Sequence, residues 1–468
     1  MSHHLLFLAV LAVAGVVGPR AAVAVDPRPN VLFIAIDDLN HWVGYLGRHP
    51  QARTPNLDRL AKRGVWFTRS YCAAPVCNAA RAALMSGLRP GSTGVYDNKE
   101  DFRPAIPEAI TLTARFRRAG YEVCGAGKIF HSSVYRPGEW DDWLGRGYQP
   151  RDEEDQQRVV GQRAGKFGIE PLDCSDEETL DAKSVEYVVE RLSRRHDRPF
   201  FLACGLSKPH LPWSVPAKYY EPFPVDEIVL PPFREDDLDD LPEPARRLAT
   251  KSGDHQAILE QGGVTTWKQA IRAYLAAISF CDAMIGRLLD AYDASPERDK
   301  TIICLWSDHG WHLGEKHHWR KFALWEESTR APMIWVVPGL TTADSRCDRT
   351  VDQMCIYPTL IDLCGLPMPP HVQGKSILTL LADPEAAWDL PAITTYRQGN
   401  HSIRSETFRY TRYADGSEEL YDETRDPYEW TNLAAGGSAG QPAAEHLRRF
   451  LPADNVPPAD GIPQAAGD

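Results

Sequence analysis

Val31-Leu32-Phe33-Ile34-Ala35-Ile36 runs without a polar break into Asp37-Asp38. A half-exposed strand alternates apolar and polar residues. Six consecutive apolar residues instead suit a strand buried on both faces, as in a parallel sheet covered by helices. Three other runs share this form. Tyr121 to Gly125 leads through Ala126-Gly127 into Lys128 and His131, and Phe200 to Gly205 leads to Lys208 and His210. Thr301 to Trp306 leads through Ser307 to Asp308-His309-Gly310. Helical patterns lie between them: Thr54-Pro55 starts one, and Glu177 to Leu192 and Trp267 to Tyr292 carry apolar stripes. The alternation predicts a large α/β sandwich with a mostly parallel sheet. Ligands of such sheets sit beyond the carboxyl ends of the strands. Four strands would therefore deliver Asp37/Asp38, Lys128/His131, Lys208/His210 and Asp308/His309 to one edge.

The whole chain is consistent with that core. It has 468 residues, 43% hydrophobic and 25% charged, which excludes a disordered or collagen-like chain. With 52 basic and 64 acidic residues the net charge is −12, a poor balance for binding nucleic acid. An anionic substrate would need a local cationic pocket. Residues 1–24, with an apolar stretch from Leu5 to Val17 and a small-x-small site at Ala22-Val23-Ala24, read as a signal peptide. The expected destination is the periplasm or the exterior. No later stretch approaches the roughly 18 apolar residues of a membrane span, so no transmembrane segment is expected. The ten cysteines include no CxxC pairs at zinc spacing.

Residues 25–388 read as the catalytic domain. Within it, Pro222 to Asp254 is rich in Pro and acidic residues and reads as an irregular surface insertion. Residues 389–468 read as a small α+β domain with an antiparallel sheet, because Ala414-Asp415-Gly416 is a hairpin signal. The tail after Pro452 reads as loose.

Asp37, Asp38, Asp308 and His309 supply three carboxylates and an imidazole. Adjacent carboxylates in one cleft repel, and a divalent cation relieves the repulsion. Oxygen-rich ligation points to calcium or magnesium. Cys77 opens an Ala-rich helix that Gly87 would end. Backbone N–H groups at a helix start hold anions and lower a thiol pKa, and Arg81 one turn on can face the same anion. A buried structural cysteine is the alternative.

Cys77-Asn78-Ala79-Ala80-Arg81, followed by Met85-Ser86-Gly87-Leu88-Arg89-Pro90, resembles the C-x-P/A-x-R signature of the sulfatases. Further matches run in order along the chain: Pro29 to Asp38, Thr54 to Asp58, Gly127 to His131, Lys208 to Pro212, Ser307 to Trp311, and Leu420-Tyr421-Asp422. Within the family the details look most like the iduronate-2-sulfatase branch, with His309, Trp311, Leu313-Gly314-Glu315, Trp319 and Lys321.

The resemblance implies an alkaline-phosphatase-like α/β/α fold. It also implies that a maturation enzyme oxidises Cys77 to formylglycine, whose hydrate is the nucleophile. Ala79 stands where proline is commoner at this step. Asp37, Asp38, Asp308, His309 and the modified Cys77 would hold one calcium ion. Arg81 would hold the nucleophile, and Lys128, Lys321 and His210 the sulfate oxygens. His210 would protonate the departing alcohol, and His131 would deprotonate the second hydroxyl so that sulfate leaves. Trp311, Lys208 and Arg320 are the expected substrate-binding residues, Trp311 stacking on a sugar and Arg320 facing a uronate carboxylate. The expected substrate is a sulfated carbohydrate of the 2-O-sulfo-uronate type. A phosphate or phosphonate monoesterase on the same scaffold is one rival. A sulfoglycan-binding protein with an unconverted Cys77 is the other.

Overall fold

The computed structural model describes residues 28–131, 136–144, 168–437 and 441–461. The expected leader lies outside them. At the centre is an eight-stranded sheet in the order β10-β2-β9-β6-β1-β5-β3-β4. Its strands are β1 (Asn30–Asp37), β2 (Val65–Tyr71), β3 (Glu122–Gly127), β4 (Asp142–Trp143), β5 (Phe200–Pro209), β6 (Thr301–Ser307), β9 (Met333–Val336) and β10 (Ser345–Asp352). β7 (His312–Leu313) and β8 (Trp319–Arg320) form a separate two-stranded pair. Within the large sheet only β9 runs antiparallel, to β2 and β6. The four strands singled out by their apolar runs are neighbours, ordered β6-β1-β5-β3 and all parallel. Their carboxyl ends therefore share one edge.

Successive side chains of β1 enter two different cores, as the pleat requires. Leu32, Ile34 and Ile36 face α1 (Pro55–Ala61), α4 (Leu180–Leu192) and α6 (Asp254–Ala294). Val31, Phe33 and Ala35 face α2 (Cys77–Ser86), α3 (Leu112–Arg118) and α7 (Ile356–Leu363). α6 begins earlier than its apolar stripe suggested, because non-helical backbone at Gly262 and Gly263 joins a preceding helical segment to it.

The segment expected to be irregular, residues 222–254, contains α5 (Glu243–Thr250). Its Leu241, Ala245 and Ala249 are buried with Ala74, Val76, Tyr396 and Tyr413. The Pro and acidic residues that suggested a loop lie mostly before this helix.

A second, antiparallel sheet runs β11 (Ala392–Thr395), β12 (His401–Arg404), β13 (Phe408–Arg412), β14 (Glu418–Asp422). The Asp415-Gly416 signal falls in the turn between β13 and β14, where Gly416 has φ +88°. α8 (Pro442–Arg448) closes this sheet's small core through Ala444 and Leu447. The sheet is bonded to the larger unit: Thr395 N–H donates to Ala73 O at 2.9 Å, and the fully buried Arg409 pairs with Glu326, Glu423 and Glu429. The tail is not loose up to Gly461. Val456 N–H donates to Gly91 O, Ala459 N–H to Gly94 O, and Asp101 N–H to Asp460 O, at 2.7–2.9 Å.

Candidate active site

The site is assembled at the shared strand edge. β1 ends in Asp37, and Asp38 turns the chain with φ +61°, a left-handed conformation that costs energy in a non-glycine residue. That turn is held from both sides. Asp38 N–H donates to Asp308 Oδ1 at 3.0 Å, and Asp38 O accepts from Tyr274 Oη of α6 at 2.8 Å. Leu39 N–H donates to Ser307 Oγ at 3.1 Å, stitching the ends of β1 and β6 together. At the end of β3, Gly127 (φ +78°) lets the chain approach β5 closely: a Cβ there would lie 1.8 Å from Gly205 O. This contact sets Lys128 against Asp37, with which it forms a buried ion pair.

α2 enters from the opposite side. Cys77 is its first residue and is buried, and Asn78 pins the helix start to the following loop. Asn78 Nδ2 donates to Asp97 O and Glu100 O, and its backbone N–H donates to Asn98 Oδ1, at 2.9–3.0 Å. Cys77 Sγ lies 3.3 Å from His309 Nε2, 3.3 Å from Lys321 Nζ and 3.6 Å from Asp38 Oδ1. Arg81, one turn on, spans the site floor. Its Nε donates to Asp308 Oδ2 at 2.8 Å and its Nη2 to Asp37 Oδ1 at 3.3 Å, while Nη1 reaches Lys128 O and Ile129 O. Lys321 Nζ donates to both Asp38 oxygens, at 2.8 and 2.9 Å.

Burial amplifies these charges. It pushes the Asp37 carboxyl up, but Lys128, His210 and Arg81 outweigh it and hold the group well below its usual range. Burial raises Asp38 to about 6, against the pull of His210 and Lys321. The Cys77 thiol is lifted by burial and by Asp37, yet Lys128 and Lys321 bring it below the usual thiol value. Burial disfavours charge on His309 too, but Asp308, Cys77 and Asp38 raise it to about 9. A field that draws a proton onto His309 also draws a metal cation.

The donor set fits such a cation. One oxygen, nitrogen or sulfur from each of Asp37, Asp38, Cys77 and His210 falls within a 4.8 Å cluster, and Cys77, Asp308 and His309 form an overlapping one. Three buried carboxylates match a hard divalent ion. His210 enters the grouping as well, its Nε2 3.8 Å from Asp38 Oδ2. Burial drives its ring down to about 4, only partly offset by Asp38.

Two expectations about substrate contacts are overturned. Trp311 is 1% exposed and packs with Trp213 (centroids 6.0 Å apart) beneath Lys321, so it offers no face to a sugar. Arg320 is committed to the buried Asp254 at the start of α6, Nε to Oδ2 at 2.6 Å, and supports the fold there. Lys208 also points away from the carboxylates. It reaches Pro212 O and lines a cavity of about 170 Å³ with Asp181 and His210, where burial lowers it to about 8. His131 follows β3 at the same edge and is half-buried.

Sequence reasoning missed Tyr274 and Asn40. Asn40 Nδ2 donates to Trp311 O at 3.1 Å, and its backbone N–H donates to Tyr274 Oη. Asn40 stands two residues beyond Asp38, a signal that could have been followed. Tyr274 is one more member of a long apolar stripe, and nothing local marks it.

The sulfatase family model matches residues 29–366, and the model described as N-sulphoglucosamine sulphohydrolase, C-terminal, matches residues 314–452. A sulfatase of Formosa agariphila is 39% identical over 92% of this chain and 87% of its own length. Human iduronate 2-sulfatase is 31% identical over 75% of this chain and 73% of that protein. Two solved structures share the fold. A 2-O GAG sulfatase superposes with a TM-score of 0.71 at 23% identity, over 91% of each chain. A phosphonate monoester hydrolase of Agrobacterium radiobacter gives 0.72 at 23%, over 90% of this chain and 94% of that one. Among the described residues no helix is long and apolar enough to cross a membrane. With a family match across most of its length and an acidic, lysine-lined site around the helix-opening Cys77, this chain belongs to the sulfatase family and is a sulfuric ester hydrolase.

Proposed function

We propose that the enzyme removes sulfate from sulfated carbohydrates, acting on a 2-O-sulfo-uronate unit, with formylglycine made from Cys77 and one calcium ion. The observation that carries this reading is the position of Cys77 Sγ, 3.3–3.6 Å from a lysine, a histidine and an aspartate at the sheet edge. The likeness to iduronate 2-sulfatase supports the uronate assignment. Formylglycine, as its hydrate, supplies the attacking oxygen, and calcium supplies Lewis acidity toward the sulfate.

The chain's own residues do the rest. Asp37, Asp38, Asp308 and His309 would hold the cation, with Arg81 bracing Asp37 and Asp308 from below. Lys128 and Lys321 face the sulfate oxygens, where charge develops in a site from which water is largely excluded. His210 protonates the departing alcohol oxygen. Its side chain is 35% exposed, and an anionic ester arriving beside it favours the cationic form. His131 takes the proton whose loss frees the sulfate. We take residues 1–24 as an export leader to the periplasm or exterior, 25–388 as the catalytic unit and 389–468 as the small domain.

Mass spectrometry of the tryptic peptide Ser70 to Arg81 tests the modification, an aldehyde at position 77 being expected. A thiol there would leave a glycan-binding protein. Turnover of an aryl sulfate against an aryl phosphate tests the chemistry, and equal or greater phosphate hydrolysis rejects the sulfate reading.

A further inference from the structure

An open cleft of about 510 Å³ lies between the end of α5 and the β11–β12 connection, with Arg247, Lys251, Arg397, Asn400 and Tyr413 on its walls. Three contacts join these walls to the active site. The Phe322 ring follows Lys321 and lies 6.2 Å from Tyr396, against which the Arg397 guanidinium also packs, 5.5 Å from the ring. His318 bridges α5 to the lysine loop, with Nδ1 at 3.0 Å from Ala249 O and Nε2 at 2.7 Å from Lys321 O. Asn78, next to Cys77, anchors the loop carrying Asp97 and Lys99, and both of these act on Lys251.

The charge on this wall is one-sided. Lys251 and Arg397 on the wall, and Lys99 whose charge acts on Lys251, are exposed, and none forms an ion pair among the described residues. Arg247 is balanced by Glu243 at 3.4 Å, and Asp97 is the carboxylate facing Lys251. Like charges held together in an acidic protein cost stability unless an anion visits them. Tyr396 is buried behind the wall and packs between Phe322 and Arg397, so it ties the cleft to the lysine loop through the core.

We infer that Lys251 and Arg397 form a subsite for a second anionic group of the substrate, on a sugar adjoining the one whose sulfate is removed. Its ligand is a carboxylate or sulfate of a polyanionic glycan. The inference rests on the sulfated-glycan reading above and deepens it. A chain with charges spaced along it would engage both sites, whereas a small aryl sulfate would engage only the first.

The test is the double variant K251A/R397A, assayed on a size-defined heparin tetrasaccharide and on 4-nitrocatechol sulfate. KM for the tetrasaccharide should rise about tenfold or more, with kcat and both aryl sulfate constants within about twofold of the parent. The pair K251R/R397K should recover most of the loss, because charge is retained. An unchanged tetrasaccharide KM overturns the subsite, as does an equal loss on both substrates. Carboxyl-reduced and desulfated tetrasaccharides then tell which anion is read. If the parent hydrolyses no sulfate ester, the proposed function fails on its own. The subsite is then decided by calorimetry of the tetrasaccharide with Cys77→Ala and Cys77→Ala/K251A/R397A. A tenfold difference in affinity sustains it, and equal affinities reject it.

Discussion

Asp308 carries three duties at once: it accepts from Asp38 N–H, pairs with Arg81 and lies 3.7 Å from His309. Asp308→Asn should lower sulfate ester turnover by about 100-fold or more, the usual scale for removing one charge-stabilising group from a closed site. The same variant should lose the rise in melting temperature that added calcium gives the parent, since a ligand bound only by the folded state stabilises it. A chelated parent with unchanged melting temperature and rate would reject the calcium assignment. Trp311 belongs to the same loop and has a different role. Trp311→Ala should cost about 3–5 kcal/mol of stability, as for other large-to-small aromatic changes in a core, while Trp311→Phe keeps most of it. Urea unfolding measures both, and a Trp311→Ala variant of parental stability that loses only glycan turnover would restore a sugar-stacking role.

At the level of elements, parallel strands and helix starts bring chemistry to one edge, and the irregular connections decide what faces it. The turn from β7 to β8 is an example. His312 pairs with Arg320 across it and Leu313 with Trp319, and left-handed backbone at Lys316 and His317 reverses the chain. Arg320 itself has φ +75°, which directs its side chain to Asp254 and leaves the next residue, Lys321, pointing at Asp38. Arg320→Ala strands a buried carboxylate at the first turn of α6 and should lower stability by about 2 kcal/mol, as expected for a hydrogen bond between charged groups. A urea midpoint that falls with an unchanged slope checks this. If stability stays at the parental level while turnover of uronate substrates drops, Arg320 faces the substrate after all.

For the whole molecule, the two sheets are joined through buried charge as well as apolar contact. Arg409 on β13 meets Glu326 from the larger unit together with Glu423 and Glu429, and Trp325 Nε1 donates to Glu419. Two buried histidines contribute to the acid sensitivity of the assembly. Burial lowers His255 to about 4, with His317 adding to the effect, and burial lowers His401 to about 4. Folded, both stay neutral where the unfolded chain, near 6.5, takes up protons. The contribution of these two groups should therefore be whole above about pH 6.5, fall as the pH drops, and be fully lost below about 4. Urea midpoints between pH 7.5 and 4.5 read this directly, and His401→Gln should flatten the curve. A midpoint that holds or rises on acidification contradicts it.

The local sequence by itself determined the parallel core, because buried strands must be apolar throughout and must stop where polar chemistry begins. For the same reason it determined that Asp37, Asp38, Lys128, His210, Asp308 and His309 share an edge, and that Cys77 opens a helix. It carried the family resemblance as well, since those motifs are contiguous in the chain. It could not separate Trp311 and Arg320 from Lys321: all three sit in one polar-aromatic stretch, and only the path of the β7–β8 turn sends one inward to the carboxylates and the others to Trp213 and Asp254. The role of Tyr274 in holding the Asp38 turn, the helix within residues 222–254 and the bonded tail up to Gly461 were likewise decided by tertiary structure. Each depends on partners far away in the chain, and long-range contacts leave no period or spacing in the local sequence.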